Sequence, residues 1–214
     1  MTPATLPAIP VRFLDRVQRL LAVPGRRVLG LTGPPGAGKS TLALALQATW
    51  PDLAQVVPMD GFHLANVELQ RLQRAHRKGA PDTFDSAGYV DLLRRVRGQD
   101  DGATVYAPQF RRDLEEPVAG AIAVTPATRL VITEGNYLLL EQGHWREVFA
   151  LLDEVWFVDV DPTLRVERLV ARHEQFGRSA SDAQKWVEHT DEPNARAIEA
   201  TRARAHAVFR WDAD

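Results

Sequence analysis

Short apolar runs alternate with helix-like stretches along the chain. Four runs read as buried strands and one more is a candidate last strand: Arg27–Leu31, Gln55–Met59, Leu130–Thr133, Val155–Val158 and Ala207–Trp211. Short apolar strands with helices between them predict a parallel sheet covered on both faces. Because right-handed crossovers bring the loops after parallel strands to one edge, function is expected at the carboxyl ends of the strands.

Helical spacing of apolar positions predicts helices over four stretches: Val11–Leu21, Ser40–Thr49, Leu64–His76 and Ser86–Arg97. A Pro-rich start that includes Pro3 precedes the first helix. The polar, Pro-containing stretch Ala107–Pro117 follows no regular period. We therefore predict one domain over residues 1–214, with a substrate-side subregion at about 61–127 packed on the core.

The composition of the 214-residue chain excludes several classes of protein. It is 45% hydrophobic and 25% charged, as is typical of globular domains. The 26 basic and 28 acidic residues argue against non-specific nucleic-acid binding. Zero Cys excludes disulfides and thiolate chemistry. Without a membrane span or signal-peptide pattern, we expect a cytoplasmic protein that binds no membrane.

A glycine-rich loop lies between the first strand and the second helix. It reads Gly-Pro-Pro-Gly-Ala-Gly-Lys-Ser and matches the P-loop pattern in its required context. Such loops wrap backbone N–H groups around phosphates, Lys39 reaches the β and γ phosphates, and Ser40 coordinates Mg²⁺. The predicted ATP-binding residues are Gly33, Pro34, Pro35, Gly36, Ala37, Gly38, Lys39, Ser40 and Thr41.

Carboxylates end three of the predicted strands. Asp60 follows the second strand, where it is either a base for an attacking hydroxyl or part of a simple Asp-Gly turn. Glu134 is the candidate Mg²⁺ ligand, and Asp159 is its rival. We favour Glu134 because the Asp161-Pro162 pair that follows Asp159 explains that strand end as a helix N-terminus.

Three arginines, Arg165, Arg168 and Arg172, share one face of the next predicted helix. Their repulsion is relieved either by a bound triphosphate, as in a lid helix, or by solvent. We predict a lid over about 163–190 that brings Arg168 and Arg172 onto the transferring phosphate. Gly177 and the polar run 178–184 are its predicted mobile tip.

Together these segments resemble the P-loop kinase group that contains pantothenate kinase, uridine kinase and phosphoribulokinase. The stretches that carry the resemblance are Met59–His63, Arg77–Asp85, Glu134–Tyr137 and Thr201–Ala205. The resemblance implies a three-layer α/β/α fold with a mainly parallel five-stranded sheet and an Arg-bearing lid helix. It also implies the base role for Asp60 and the Mg²⁺ role for Glu134.

Acceptor-side residues are predicted from the same resemblance and from the substrate-side subregion: His63, Arg77, Phe110, Arg112, Tyr137 and Asn194. Asn194 resembles a substrate-side Asn of pantothenate kinases, although a helix cap would also explain it. Where those kinases carry an aromatic-Ser-His sequence, this chain reads Pro-Gln-Phe-Arg-Arg over 108–112. In this stretch the chain is more similar to the short relatives labelled nucleoside, nucleotide or sugar kinases.

Adjacent arginines at 111 and 112 are costly to bury unpaired. At least one is expected to meet a nearby carboxylate, with Asp113, Glu115 and Glu116 as candidates, or an anionic or polyhydroxylated substrate. The alternative is that both are exposed to solvent.

The leading hypothesis is an ATP-dependent kinase that phosphorylates a hydroxyl of a small metabolite, such as a sugar or a nucleoside. The alternatives are a pantothenate kinase, a nucleotide-binding switch protein, or a kinase-like protein that has lost activity. The guanine signature Asn-Lys-x-Asp of GTPases does not occur in the sequence. A homodimer is compatible with all of these.

Overall fold

The computed structural model describes residues 7–98 and 102–211. The Pro-rich start around Pro3 lies outside these residues. The strands are β1 (Arg27–Thr32), β2 (Ala54–Pro58), β3 (Val105–Arg111), β4 (Glu116–Val124), β5 (Leu130–Glu134), β6 (Glu154–Val158) and β7 (Ala207–Phe209). The helices are α1 (Val11–Ala22), α2 (Lys39–Thr49), α3 (Asn66–Arg71), α4 (Ser86–Arg97), α5 (Trp145–Val148), α6 (Pro162–Gln175), α7 (Ala180–Trp186) and α8 (Glu192–Glu199).

Five strands form one parallel sheet in the order β2-β5-β1-β6-β7. Alternate strand residues enter two separate apolar cores, one on each face. One core takes Val28 and Val131 with the apolar face of α4, and the other takes Leu29 and Ile132 with α1 and α2. The three-layer α/β/α fold with a five-stranded parallel sheet is therefore confirmed.

The sheet order brings three of the predicted chemical groups to one edge. β1 leads into the glycine-rich loop, β5 ends at Glu134, and β2 runs into a 3₁₀ turn, Met59–Phe62, that carries Asp60. β5 lies between β1 and β2, and Leu31 and Pro58 both pair in register with Glu134. Asp159 follows β6, on the other side of β1.

The polar stretch around 107–117 is not irregular, because β3 and β4 form an antiparallel hairpin beside the main sheet. Pro108 obscured the pattern, since proline removes a ladder hydrogen bond and argues against a strand. The pairing shifts register between Ala107 and Gln109, so Pro108 lies at an irregularity that tolerates it. The hairpin contacts the turn that carries Asp60 so closely that a Cβ at Gly61 would lie 2.2 Å from the Pro108 carbonyl oxygen.

The single helix predicted over Leu64–His76 is wrong, because α3 ends at Arg71 and a separate 3₁₀ turn, Ala75–Arg77, follows. Gln73 has a φ of 56°, in the left-handed region, which cannot continue a right-handed helix. The next residue, Arg74, donates its backbone N–H to the Leu69 carbonyl and closes the helix end. Among the described residues, no helix is both long and apolar enough to cross a membrane.

Candidate active site

A cavity of about 1380 Å³ opens at the carboxyl edge of the sheet. Its wall combines the glycine-rich loop, the acids at the strand ends, the β3–β4 hairpin and the helices α6 to α8. The predicted site residues along this wall are Pro35, Gly36, Gly38, Lys39, Ser40, Thr41, Asp60, His63, Phe110, Arg112, Glu134, Arg168, Arg172 and Asn194. The topology thus gathers side chains that are up to 159 residues apart in the sequence.

The glycine-rich loop holds Lys39 at the base of the cavity. Gly38 precedes α2 in the left-handed conformation, at a φ of 92°, so glycine is favoured where the loop turns into the helix. No side chain caps the first turn of α2, which leaves its backbone N–H groups for an anion. Gly33, Pro34 and Ala37, three of the predicted ATP-binding residues, are buried and do not line the cavity.

Lys39 is 7% exposed and donates hydrogen bonds to the Gly33 carbonyl at 2.8 Å, the Pro34 carbonyl at 3.0 Å and the Asn136 side-chain oxygen at 2.7 Å. Burial lowers the pKa of Lys39 to about 8, against the opposing effect of the Glu134 and Asp60 charges. All its protein partners are neutral oxygens, so a phosphate oxygen would be a stronger partner. Asn136 lies in a stretch that pointed to the family, but its type and position alone gave no reason to pair it with Lys39.

Glu134 faces the loop from β5. Its Oε1 accepts a hydrogen bond from the Ser40 hydroxyl at 2.9 Å, and the residue is 6% exposed. Burial raises the pKa of Glu134 and the charge of Asp60 adds to this, whereas Lys39 acts in the opposite direction. A nearby cation would favour the charged form of this carboxylate.

The Ser40 hydroxyl and the Glu134 carboxylate fit a Mg²⁺ site, since Mg²⁺ prefers oxygen ligands and takes only one or two carboxylates beside phosphates and water. In the described part of the chain, no group of three or more His, Cys, Asp or Glu side chains could hold a metal ion by itself. Any Mg²⁺ here would need further ligands from a nucleotide.

Asp159, the other candidate Mg²⁺ ligand, does not line the cavity. Its Oδ2 accepts hydrogen bonds from Arg202 and Arg210, each at 2.7 Å. Asp161 caps α6 by accepting from the backbone N–H groups of Thr163 and Leu164, as the Asp-Pro pattern predicted. Asp159 therefore holds the chain around β7 and lies outside the cavity wall.

Asp60 reaches the cavity from its 3₁₀ turn, with 32% of its side chain exposed. Arg112 Nη2, from the hairpin, lies 3.7 Å from Asp60 Oδ2, which is an ion pair too long for a hydrogen bond. The backbone carbonyl of Asp60 is 2.8 Å from His63 Nδ1. The predicted base and the predicted acceptor residues thus share one corner of the cavity.

Aromatic rings form the acceptor side of this corner. The His63 ring centroid lies 4.0 Å from that of Phe84 and 4.6 Å from that of Phe110. Burial lowers the pKa of His63, and the charges of Lys78 and Arg112 act in the same direction. The imidazole and the two phenyl rings give this side a flat surface, beside the charged side chains of Lys78 and Arg112.

Arg77 and Tyr137, two of the predicted acceptor residues, do not line the cavity. Arg77 pairs with Asp82 at 2.7 Å, because the turn at Pro81–Thr83 brings that acid back to it. Tyr137 is fully buried in the aromatic core, and its hydroxyl donates to the Gly79 carbonyl. Tyr137 therefore fixes the loop that carries Lys78, a cavity residue to which the sequence analysis assigned no role.

The arginine stripe on α6 divides into two parts. Arg168 and Arg172 line the cavity, but Arg165 is 6% exposed and forms an ion pair with Glu192 at the start of α8. Burial lowers the pKa of Arg172, with repulsion from Arg112 adding to the effect. The three arginines therefore do not form a simple solvent-exposed face. Arg165 joins α6 to α8, and Arg172 is confined in the cavity.

The predicted mobile tip of the lid contains regular structure. α7 covers most of it, with Ser179 as its N-cap, and a π-helical turn, Val187–Asp191, joins α7 to α8. His173 Nε2 lies 2.8 Å from Asp191 Oδ2, and the Arg178 guanidinium lies 3.9 Å from the centre of the Trp186 ring. The first contact ties α6 to the turn before α8, and the second holds the residue after Gly177 against α7.

Two comparisons with known proteins decide the family. The chain is 34% identical over 186 residues to a Schizosaccharomyces pombe protein named "putative uridine kinase", a match that covers 83% of this chain and 78% of that protein. A crystal structure of a "putative fructose transport system kinase" from Silicibacter sp. TM1040 is 38% identical, with a TM-score of 0.85 over 97% of this chain and 100% of that chain. The chain belongs to the P-loop kinases.

Two other similar proteins say less about the activity of this kinase than the two above. The Escherichia coli protein YggC is 38% identical over 178 residues, covering 81% of the kinase and 73% of YggC. The crystal structure of YFH7 from Saccharomyces cerevisiae has a TM-score of 0.77 over 93% of this chain and 97% of that chain, and at 21% identity it shows the fold alone. No protein-family model matches the chain.

Proposed function

We propose that this kinase transfers the γ-phosphoryl group of ATP to a hydroxyl of a small polyhydroxylated metabolite of the sugar or nucleoside class. The observation that carries the proposal is the position of Asp60. Its carboxylate opens into the same cavity as Lys39 and Ser40, between the phosphate loop and a ring-lined corner. A nucleotide switch has no need of a carboxylate and an acceptor-sized corner at this place.

The chemistry follows from positions and charges. Asp60 accepts the proton of the acceptor hydroxyl while its oxygen forms a bond to the γ-phosphorus. The bond from that phosphorus to the β–γ bridging oxygen breaks, and ADP leaves with the electron pair. Lys39 and Arg172 stabilise the charge that develops on the phosphoryl oxygens and the leaving group.

Ser40 and Glu134 would hold Mg²⁺ in this proposal. The ion, when bound with the nucleotide, neutralises charge on the β and γ phosphates. Glu134 has a second role that needs no metal, since its hydrogen bond fixes the Ser40 hydroxyl at the start of α2. Lys39, beside it, raises the positive potential in which an anionic nucleotide binds.

The acceptor class is inferred from the corner and from the relatives. The rings of His63 and Phe110, which line the cavity, suit contact with a sugar or nucleoside ring, while Asp60 and Asn194 supply polar contacts. The names of the two relatives point to the same classes, a uridine kinase and a fructose transport system kinase. Pantothenate remains the alternative because of Asn194, although Arg111 and Arg112 stand where pantothenate kinases have a Ser-His pair.

Acceptor-dependent formation of ADP tests the proposal. Purified kinase with Mg²⁺ and ATP is incubated with sugars, sugar phosphates, polyols, nucleosides and pantothenate, and the phosphorylated product is identified by mass spectrometry. We expect a sugar or nucleoside to be phosphorylated better than pantothenate and the Lys39→Met variant to be inactive. A protein that forms no phosphorylated acceptor but changes its partner binding with ATP would be a switch, and efficient turnover of pantothenate would reassign the acceptor.

A further inference from the structure

Lys78 lies on the acceptor side of the cavity and is held in place by neutral oxygens. Its Nζ donates to the Asn66 side-chain oxygen at 2.7 Å and to the Glu115 backbone carbonyl at 2.5 Å. The next residue, Gly79, is fixed from both sides, because its N–H donates to Thr83 at 2.9 Å and its carbonyl accepts from the Tyr137 hydroxyl. The ammonium group is therefore positioned before any ligand arrives.

In the part of the chain that the structure describes, the charge of Lys78 is not paired with a carboxylate. Partial burial lowers the pKa of Lys78, while the charges of Glu115 and Glu116 oppose that effect. Glu116 is occupied by the backbone N–H of Asn66, at 3.0 and 3.1 Å from its two oxygens. Among the described residues, no carboxylate forms an ion pair with Lys78, and one of its three N–H donors is left for a ligand.

Arg112 supplies a second cation to the same corner. Phe110 links the two along the hairpin, because its ring centre lies 5.1 Å from Lys78 Nζ and Arg112 follows it by two residues. Both cations lie close enough to His63 for their charges to lower the pKa of its imidazole. Among the described carboxylates, Arg112 pairs with Asp60 alone and at the long distance of 3.7 Å, whereas its neighbour Arg111 donates to Asp113 at 2.7 and 2.9 Å.

We propose that the acceptor carries an anionic group, a phosphate ester or a carboxylate, and that Lys78 and Arg112 bind it beside Phe110. This inference rests on the proposed kinase function and narrows its substrate class to acidic derivatives of sugars or related polyols. The anion supplies the opposite charge that the neutral partners of Lys78 lack, and it shortens and strengthens the hydrogen bonds of both cations. It also leaves the hydroxyl end of the acceptor for Asp60, whose carboxylate lies 3.7 Å from Arg112.

The first experiment compares related polyhydroxylated acceptors with and without an anionic group. D-fructose, D-fructose 1-phosphate and D-gluconate represent the neutral, phosphate and carboxylate arms, with glycerol, glycerol 3-phosphate and D-glycerate as a shorter set. We expect the anionic member of one set to have a kcat/KM about tenfold or more above its neutral counterpart. The better of the two anionic arms identifies the group.

Variants then locate the anion site. Lys78→Met should lower kcat/KM for the anionic acceptor about tenfold or more through KM, with the KM for ATP unchanged. Lys78→Arg should retain most of the preference, and Arg112→Ala should raise the acceptor KM far more than the ATP KM. The control is Arg95→Met, which removes one positive charge from the exposed surface of α4 and should change neither constant.

The outcomes separate the two proposals. If the kcat/KM of neutral acceptors equals that of anionic ones, the anion site is wrong and the kinase function stands. The same follows if Lys78→Met lowers kcat/KM equally for both kinds of acceptor. If no acceptor is phosphorylated, the proposed function fails, and calorimetric titration with inorganic phosphate in the presence of a non-hydrolysable ATP analogue still tests the site. Equal phosphate affinity of the wild type and Lys78→Met would then overturn it.

Discussion

The Ser40 hydroxyl donates a hydrogen bond to Glu134 across 2.9 Å, although 94 positions separate the two residues in the sequence. One residue begins the helix after the phosphate loop, and the other ends the neighbouring strand. Parallel pairing of β1 with β5 therefore creates the oxygen pair that a Mg²⁺ ion would use.

Replacing Glu134 tests that oxygen pair. Glu134→Gln keeps the size and a hydrogen-bond acceptor for Ser40 but removes the charge, so half-maximal turnover should require about tenfold or more Mg²⁺. The matched control is Asp159→Asn, which removes the charge from the rival acid. It should leave the Mg²⁺ dependence unchanged and cost about 1–3 kcal/mol of stability, since Arg202 and Arg210 lose a charged partner. The assignment is wrong if Asp159→Asn shifts the Mg²⁺ dependence and Glu134→Gln does not.

Asp60→Asn separates proton transfer from nucleotide binding. The amide cannot accept the acceptor proton, so kcat should fall by about 10²–10⁴ while the Kd for an ATP analogue stays close to that of the wild type. Asp52→Asn, at an exposed position before β2, serves as the control and should change neither quantity. A loss of nucleotide affinity without a loss of kcat would make Asp60 a binding or structural residue.

The pKa of Lys39 predicts a pH dependence of nucleotide binding. Burial lowers this pKa to about 8, so the free protein loses the charge of Lys39 as the pH rises through that value. ATP binds the charged form, and its Kd should therefore rise with pH above about 8, approaching tenfold per pH unit. Calorimetry should detect proton uptake on binding in that range. Lys39→Met should bind weakly with no such dependence, and a wild-type Kd that is flat from pH 7 to about 9.5 would contradict the prediction.

Gly61→Ala tests the contact between the turn that carries Asp60 and the hairpin. A Cβ there would lie 2.2 Å from the Pro108 carbonyl oxygen, so the hairpin must move. We expect a loss of about 1–3 kcal/mol in the free energy of unfolding and an increase in the acceptor KM, measured by denaturant unfolding and steady-state kinetics. Gly98→Ala, where the nearest atom lies 3.4 Å away and φ is −91°, is the matched control. Equal effects of the two substitutions would show that the contact does not position the acceptor.

Nucleotide binding should order the helices that carry Arg168 and Arg172. With Mg²⁺ and a non-hydrolysable ATP analogue, amide hydrogen exchange should slow over residues 168–186, because both guanidinium groups gain a counter-charge. Exchange in α1 should not change. If exchange over residues 168–186 is identical with and without the nucleotide, Arg168 and Arg172 do not bind its phosphates, and solvent alone screens their charges.

The sequence alone predicts the five-stranded sheet and the chemical groups that lie at its carboxyl edge. Short apolar strands and the glycine-rich pattern are local signals, and parallel topology fixes where the strand ends meet. The β3–β4 hairpin was missed because Pro108 breaks the alternation of a strand. The ion pair of Arg165 with Glu192 and the burial of Tyr137 depend on how separate elements pack. No spacing rule reports contacts of that kind.

The position of the β3–β4 hairpin has a consequence for the evolution of acceptor specificity. Arg112 and Phe110 lie on a two-stranded unit that makes no strand pairing with the five-stranded sheet, where Lys39, Ser40 and Glu134 lie. Exchanging the segment from β3 to β4 by recombination would replace much of the acceptor wall and leave the phosphate-transferring edge intact. A lineage of these enzymes could thus acquire new metabolites by inheriting a new hairpin, provided that a glycine at position 61 still allows it to dock.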